Sequence, residues 1–179
     1  MMRNPNRHAC RGWRDVTSGE RESRVSNAAD LTAITDRLAI IDLVNRHVND
    51  IDAKRWDRVG DFFSDDAVAQ WTPEKSMRGP AGIVGAMRQM LDTDEVVTYH
   101  DVGNFTPILS GDTAEADIRI RAMHNGAGAR AGRFYESLGI QKTRFARTAD
   151  GWRCNYYEWQ IVVTLGSMDV FASELPSPA

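Results

Sequence analysis

Residues 34–52 read ITDRLAIIDLVNRHVNDID, and the reading of the fold starts from the spacing of their apolar side chains. Ile34, Leu38, Ile41, Val44 and Val48 recur at intervals of three and four, which is one stripe of an amphipathic helix. Asp30 or Thr32 is placed to cap its start. One further turn along the stripe from Val48 arrives at Asp52. A carboxylate where the apolar face points is a conflict, because burying a charge is costly without a partner. Such conflicts collect at functional sites. The plainer alternative makes Asp52 a solvated acid at the helix end, ahead of the turn Ala53-Lys54. If it is buried, desolvation raises its pKa and a nearby imidazolium lowers it. In either case it can orient a histidine or take a proton.

Downstream, Trp56, Val59 and Phe63 share one face of a short second helix that Ser64-Asp65-Asp66 ends. Residues 67–71 read as a strand and 72–79 as a polar loop. Pro80 then opens a third helix, at a position where proline is tolerated, with Ile83, Met87, Met90 and Leu91 on its apolar side. From there the chain is β-like. A strand over 96–109 is broken near Gly103 or Pro107, and Ser110-Gly111-Asp112 is a turn. Residues 113–124 alternate, with Ile118, Ile120 and Ala122 on one face and Asp117, Arg119 and Arg121 on the other. A glycine-rich loop over 125–132 leads to a strand over 134–147, a hairpin turn at 148–151 and a last strand over 152–165. Helices segregated from a mainly antiparallel sheet make an α+β class. A curved sheet against a long helix leaves a cleft at its mouth.

Two histidines stand out against this frame. His100 lies in Thr98-Tyr99-His100-Asp101-Val102, on a mixed face, so periodicity leaves its direction open; a core histidine is the plainer reading. His124 continues the apolar face of Ile118, Ile120 and Ala122, so parity points it inward. Two histidines and one inward carboxylate can make an acid–base set. Trp71, Tyr99, Phe105, Phe134 and Tyr156, with Trp159, Tyr135 and Tyr157 beside them, are candidates to line an aromatic pocket, against the alternative of ordinary packing. Glu158 is a weaker second acid. Gly126-Ala127-Gly128-Ala129 lacks the strand-to-helix context of a phosphate loop. There is no nucleophile elbow, and the spacing of Asp52, His100 and His124 does not indicate a metal site.

The chain has 179 residues, 42% hydrophobic and 26% charged, with a formal net charge of −3. That suits one domain and offers no basic field for nucleic acid or for an acidic membrane. Residues 1–30 hold six arginines against four acidic residues, a net of +2 that leaves −5 for the rest. They lack an apolar period and read as a disordered or leader arm, or alternatively as a basic arm for an acidic partner. The arm has no apolar segment of a secretory signal, and its four acids argue against a mitochondrial leader. No apolar run approaches spanning length. Cys10 and Cys154 form no framework, so a reducing cytoplasm is the expected setting. The ordered domain is expected over 31–165, with 166–179 as a tail.

The segment from Asp50 to Val59 (DIDAKRWDRV), followed by Phe62-Phe63-Ser64-Asp65-Asp66-Ala67-Val68, resembles the first helices of the SnoaL-like branch of the nuclear transport factor 2-like superfamily. Arg78-Gly79-Pro80, Tyr99-His100, Gly111-Asp112-Thr113-Ala114 and Asp150-Gly151-Trp152-Arg153 follow in the same order, so the resemblance spans about residues 31–165. It implies a cone-shaped α+β barrel: a strongly curved, mainly antiparallel sheet on about three helices, with an internal pocket. Within the superfamily the pattern is most similar to the scytalone dehydratase and hexachlorocyclohexane dehydrochlorinase group. The aspartate–histidine dyad of that group falls on Asp52 and His100, and a further pocket histidine on His124. Ile51 replaces a tyrosine of the dehydratase, Trp71 stands near the place of another, and Arg144 is the available counterpart of the dehydrochlorinase arginine.

The resemblance therefore implies a cofactor-independent lyase working on a small apolar cyclic substrate through the dyad, with His124 or Tyr99 assisting at an oxygen. A polyketide cyclase or ketosteroid-isomerase-like enzyme uses the same pocket. A non-catalytic binding module, such as the β subunit of a ring dioxygenase, uses the same fold. A homo-oligomer, dimer or trimer, is also implied, paired through an outer face carrying Arg119, Arg121, Tyr157 and Trp159.

Overall fold

The computed structural model describes residues 28–171; residues 1–27 of the expected arm, Cys10 among them, and residues 172–179 of the expected tail lie outside the described residues. The long first helix, α1 (Ala28–Asp52), is followed by α2 (Trp56–Val59) and a 3-10 turn, Gly60–Phe62. Then come β1 (Phe63–Thr72), β2 (Lys75–Arg78), α3 (Gly79–Leu91) and β3 (Val96–Gly103). The remaining strands are β4 (Ile108–Ser110), β5 (Thr113–Gly126), β6 (Phe134–Thr148) and β7 (Gly151–Gly166).

The helix α1 buries a face rotated from the expected stripe. Ile40, Leu43, Val44, His47, Val48 and Ile51 are buried, whereas Ile34 and Leu38 are 42% and 56% exposed. The cause is Asp36, which is itself buried. Its carboxylate accepts a hydrogen bond from Trp152 Nε1 at 3.1 Å and another from Arg147 Nη2 at 2.6 Å. A buried carboxylate must meet its partners, so this contact sets the roll of the helix and turns Ile34 and Leu38 away. At the far end, Asp50 pairs with Arg55 at 2.6 Å, and Lys54 takes a left-handed backbone conformation with φ of 53°. The chain reverses there and leaves Asp52 at the helix terminus.

Two local expectations fail after that turn. Ser64-Asp65-Asp66 does not end a helix but lies in β1, and the expected polar loop contains β2, paired antiparallel with β1. The strand β2 is short and lies at the sheet edge, with half-exposed and exposed residues alternating along it. It has no apolar alternation to announce it. Helix α3 matches its reading, with Pro80 in the first turn and Ile83, Met87 and Leu91 buried.

The sheet runs β2-β1-β7-β6-β5-β3, with β4 on the end of β5. All neighbours are antiparallel except β1 with β7. Alternation along β5 holds from Ala114 to His124 without a break. By contrast, the β6–β7 ladder shifts register between Arg144 and Phe145, skipping Asn155, and between Leu138 and Gly139, skipping Val162. Bulges of this kind bend a sheet and increase its twist. At the second, a Cβ on Gly139 would lie 2.3 Å from the Gln160 carbonyl oxygen, so the close approach needs glycine. The result is a strongly curved, mainly antiparallel sheet closed over three helices, the cone-shaped α+β barrel. Ile40, Val59, Ile83, Ile118 and Phe145 fill its core.

Beyond β7 the chain folds back. A 3-10 turn at Met168–Val170 brings Val170 and Phe171 into buried positions. Arg130 Nη1 donates to the carbonyls of Asp169, Val170 and Phe171 at 3.2, 3.3 and 2.6 Å, while Arg130 Nε pairs with Glu95 at 2.9 Å. Among the described residues no helix is long and apolar enough to cross a membrane.

Candidate active site

The end of α1 meets the inner face of β3, and the contact is made by Asp52. Its Oδ1 lies 2.6 Å from His100 Nδ1 and accepts from Thr98 Oγ1 at 3.1 Å. Its Oδ2 accepts from the His100 backbone N–H at 2.9 Å. Both carboxylate oxygens are thus engaged, and the strand that carries the histidine also grips the acid. The alternation that left His100 undecided resolves inward, together with Val96 and Thr98. The side chains of His100 and Asp52 are only 13% and 20% exposed.

Burial would raise the Asp52 carboxyl, but the hydrogen bond and charge of the His100 ring, the His100 N–H and Thr98 together hold it below the ordinary carboxylate value. An ionised Asp52 accepts and cannot donate, so the proton between the pair belongs to His100 Nδ1. Nε2 is then the ring nitrogen with a free lone pair. This is how a carboxylate fixes the tautomer of a histidine.

His100 forms part of the wall of a cavity of about 190 Å³. Asp52 stands behind it and does not line the cavity. The wall is mostly apolar, with Ile51, Met87, Leu91 and Ile120 among its members, and carries a few polar groups, Ser137 and Gln141 among them. His124 also lines it, as the parity of β5 anticipates, with its ring centroid 5.7 Å from that of His100. Burial, aided by the charge of His100, pushes His124 down to about 3. It is a neutral imidazole at ordinary pH, able to donate or accept a hydrogen bond but not to act as an imidazolium acid. Its Nδ1 is buried without a hydrogen-bond partner. Phe171, from the segment clamped by Arg130, closes over it at 4.8 Å between centroids.

The aromatic expectations divide. Trp71 lines the cavity. Tyr99 does not: it alternates with His100 on β3 and is 56% exposed on the outer face, so it cannot assist at a substrate oxygen there. Phe134 is 46% exposed and Phe105 packs on the edge of the core, both away from the cavity. Tyr156 is misplaced by the bulge at Asn155. Simple alternation from Trp152 and Cys154 points it inward, but the skipped residue inverts the parity, so Tyr157, Trp159 and Ile161 line the cavity instead. Tyr156 lies outside, donating to Glu158 at 2.9 Å beneath the Arg144 guanidinium. The same inversion removes Tyr157 and Trp159 from the outer face on which they were expected with the exposed Arg119 and Arg121.

Several cavity residues lie outside the expected set, Ser137, Gln141 and Phe171 among them. His47 lines the wall from α1, and the expected stripe excluded it. The signal was available: 40, 44, 47 and 51 are also spaced by threes and fours, and Asp36 heads that row. Among the described residues, no group of three or more His, Cys, Asp or Glu side chains is arranged to hold a metal ion.

The SnoaL-like domain profile matches residues 32–158. Several solved structures share the fold. A candidate aromatic ring hydroxylase from Novosphingobium aromaticivorans is 27% identical, with a TM-score of 0.65 over 76% of this chain and 96% of its own. The hexachlorocyclohexane dehydrochlorinase LinA-type3 from Novosphingobium barchaimii LL02 is 16% identical, with a TM-score of 0.68 over 84% and 99% of the two chains. A candidate scytalone dehydratase from Novosphingobium aromaticivorans DSM 12444 is 15% identical, with a TM-score of 0.66 over 76% and 90%. At 15–16% identity the likeness is one of fold alone. No curated protein matches the chain in sequence.

Proposed function

The chain belongs to the SnoaL-like domain family, and on that premise we propose that it is a cofactor-independent lyase, a dehydratase or a related eliminating or isomerising enzyme, acting on a small and mostly apolar cyclic compound. The observation that carries this reading is the 2.6 Å contact of Asp52 with His100 at the wall of an apolar cavity. His100 Nε2 takes a proton from a carbon next to a carbonyl or a leaving group. The electrons of that C–H bond form the new C=C bond as the C–O bond to the leaving hydroxyl breaks. The imidazolium then gives its proton to the departing oxygen, and water leaves. Asp52 remains ionised throughout, holding Nδ1–H and stabilising the imidazolium. His124, neutral, donates its N–H to the oxygen on which charge develops. An acid–base pair of this kind contributes about 10²–10⁴-fold in rate.

Two proteins of the same fold are named for eliminations, a dehydrochlorinase and a candidate dehydratase, which agrees with this chemistry. The test is turnover of a panel of cyclic β-hydroxyketones, followed by the absorbance of the conjugated enone. His100→Ala abolishes turnover and leaves the circular dichroism spectrum intact; unchanged turnover in that variant ends the proposal. A cyclase or ketosteroid-isomerase-like enzyme begins with the same proton abstraction, and a product of unchanged mass separates it from a dehydratase.

A second reading makes the chain a non-catalytic module, such as the β subunit of a ring dioxygenase, silent on every substrate and recovered with a larger partner; the 27% identity to a protein named as a candidate aromatic ring hydroxylase is what keeps ring oxidation in view. We place the protein in the cytoplasm as a homo-oligomer, dimer or trimer. What supports association is the apolar end of β7, where Val162, Val163 and Leu165 are 46–69% exposed. Light scattering on the purified protein tests it, and a monomer at micromolar concentration contradicts it.

A further inference from the structure

We propose that Gln141 is a specificity residue of this cavity, whose side-chain amide hydrogen-bonds a hydroxyl or carbonyl remote from the carbon that His100 deprotonates, so that the substrate is a neutral ring compound with oxygen functions at two ends. The proposal rests on the reading of the cavity as the substrate site with His100 as its base. It goes beyond the proton-abstracting pair, because it concerns what holds the far end of the molecule.

Gln141 lies in the middle of β6 on the inner face, opposite Ile118 of β5 and Trp159 of β7. It is only 6% exposed and forms part of the cavity wall. Packing against such neighbours would be served as well by leucine. Two residues farther along the same face Thr143 is also buried, but its hydroxyl donates to the Ala116 carbonyl at 2.8 Å. Other polar groups of the wall are matched in the same way, His100 by Asp52 at 2.6 Å and Thr72 by Glu74 at 3.0 Å. Gln141 is not. Among the described residues no hydrogen bond reaches its amide, yet neither amide atom is one of the buried polar atoms sealed off without a partner. Both atoms therefore keep accessible surface, and the space beside them is the cavity that Gln141 lines. In this they differ from Nδ1 of His47 and of His124, which are sealed.

A primary amide offers two N–H donors and a carbonyl acceptor, all uncharged. Buried polar groups are hydrogen-bonded as a rule, so the partner belongs to what fills the cavity. A hydroxyl can donate to Oε1 or accept from Nε2, and a carbonyl can accept from Nε2. A carboxylate or phosphate does not suit the site. Among the described residues no arginine or lysine lines the cavity, and the ionised Asp52 stands behind His100. Nothing there offsets the desolvation of an anion. The strand register sets the span. His100 faces Ala122 on β5, Ala122 faces Ser137 on β6, and Gln141 lies four residues farther along β6 on the same face. Base and amide thus stand two strands apart, with about 13 Å of strand between their backbone positions. They meet opposite ends of a ligand. A ring without the distal oxygen fills the space and leaves the amide bare, and that mismatch discriminates between ligands.

The experiment measures binding of β-tetralone, a neutral bicyclic ketone, and of its 6-hydroxy and 6-carboxy derivatives to the full-length protein by calorimetry. Wild type binds the hydroxylated ketone at least tenfold more tightly than the parent, and the carboxylated one more weakly than the parent. In Gln141→Leu the preference for the hydroxyl falls below threefold. In His100→Ala it stays within threefold of the wild-type ratio. A measurement on the wild type alone guards against misfolding of the variant. In ¹⁵N–¹H spectra the side-chain NH₂ protons of Gln141 move downfield when the hydroxylated ketone is added and not with the parent. A wild-type preference below threefold, the result if water alone satisfies the amide, overturns the proposal. So does a preference retained in a folded Gln141→Leu, equal NH₂ shifts with the two ketones, tighter binding of the carboxylate than of the hydroxyl, or no measurable binding of the hydroxylated ketone. The readout is binding, so such a failure leaves proton abstraction by His100 standing. Inactivity of the wild type on ketone panels leaves the Gln141 result readable.

Discussion

Asp52 has both oxygens committed to β3 and none to solvent-facing partners, so its role is read from what its loss does to His100. Asp52→Asn keeps the shape and replaces a pure acceptor by a group that also donates. It permits the wrong tautomer of His100, and turnover should fall by about 10²–10⁴-fold with the thermal midpoint little changed; activity within threefold of wild type contradicts the assigned role. The other two cavity histidines govern stability against pH. His47 and His124 are lowered from 6.5 to about 3 in the folded chain. The unfolded chain binds a proton at each below 6.5 that the folded chain refuses until about 3. Stability therefore falls as pH drops through that window, by about 1.4 kcal/mol per unit for each histidine. Asp52 has a depressed folded value, so its contribution is present above about 3.8 and is lost only as pH falls through that lower value. Urea unfolding at pH 7.5, 6 and 5 measures the slope, and His47→Phe should flatten it. An equal slope in that variant contradicts a neutral buried His47. Asp52 and His124 were legible as inward residues from periodicity alone, and His100 only through a family pattern, because its strand face is mixed. His47 was not legible, because its row along α1 carries a charge at Asp36 and reads as polar until the partners of that charge are known.

The elements show why. Helix α1 presents two rows of apolar residues, and periodicity cannot rank them; the deciding interaction is the long-range contact of Asp36 with Trp152 and Arg147. Asp36→Ala should destabilise the fold by about 2–3 kcal/mol, the worth of hydrogen bonds to a charged group. It should also loosen the register of α1 on the sheet, seen as faster amide exchange in the first half of the helix. A loss under 0.5 kcal/mol contradicts that anchoring role. The strands divide in the same way. Unbroken alternation made β5 readable to the residue, whereas β7 carries a bulge at Asn155 that inverts the side chains from Tyr156 to Ile161, up to the second bulge at Val162. A bulge is set by pairing with β6, and no local signal in Asn155-Tyr156-Tyr157 announces it.

At the scale of the whole molecule, curvature from the bulges, the roll of α1 and the returning C-terminal segment together shape a cavity lined by His47, His100 and His124. Arg130 holds the last part of that enclosure through three backbone carbonyls. Arg130→Met should free Phe171 from His124 and expose the segment after Gly166 to limited proteolysis, with weaker ligand binding; resistance equal to wild type contradicts the clamp. The α+β class and the order of its elements were legible, since helical and strand periods separate cleanly along the chain. The enclosure was not, because it depends on contacts between residues about forty and a hundred positions apart. The most direct test of the central claim uses no knowledge of the natural substrate. Small cyclic ketones are incubated with the protein in deuterated buffer, and exchange of the proton next to the carbonyl is followed by NMR. Exchange well above the buffer rate is expected with wild type, with a loss of at least about a hundredfold in His100→Ala. Exchange that persists undiminished in His100→Ala would contradict it.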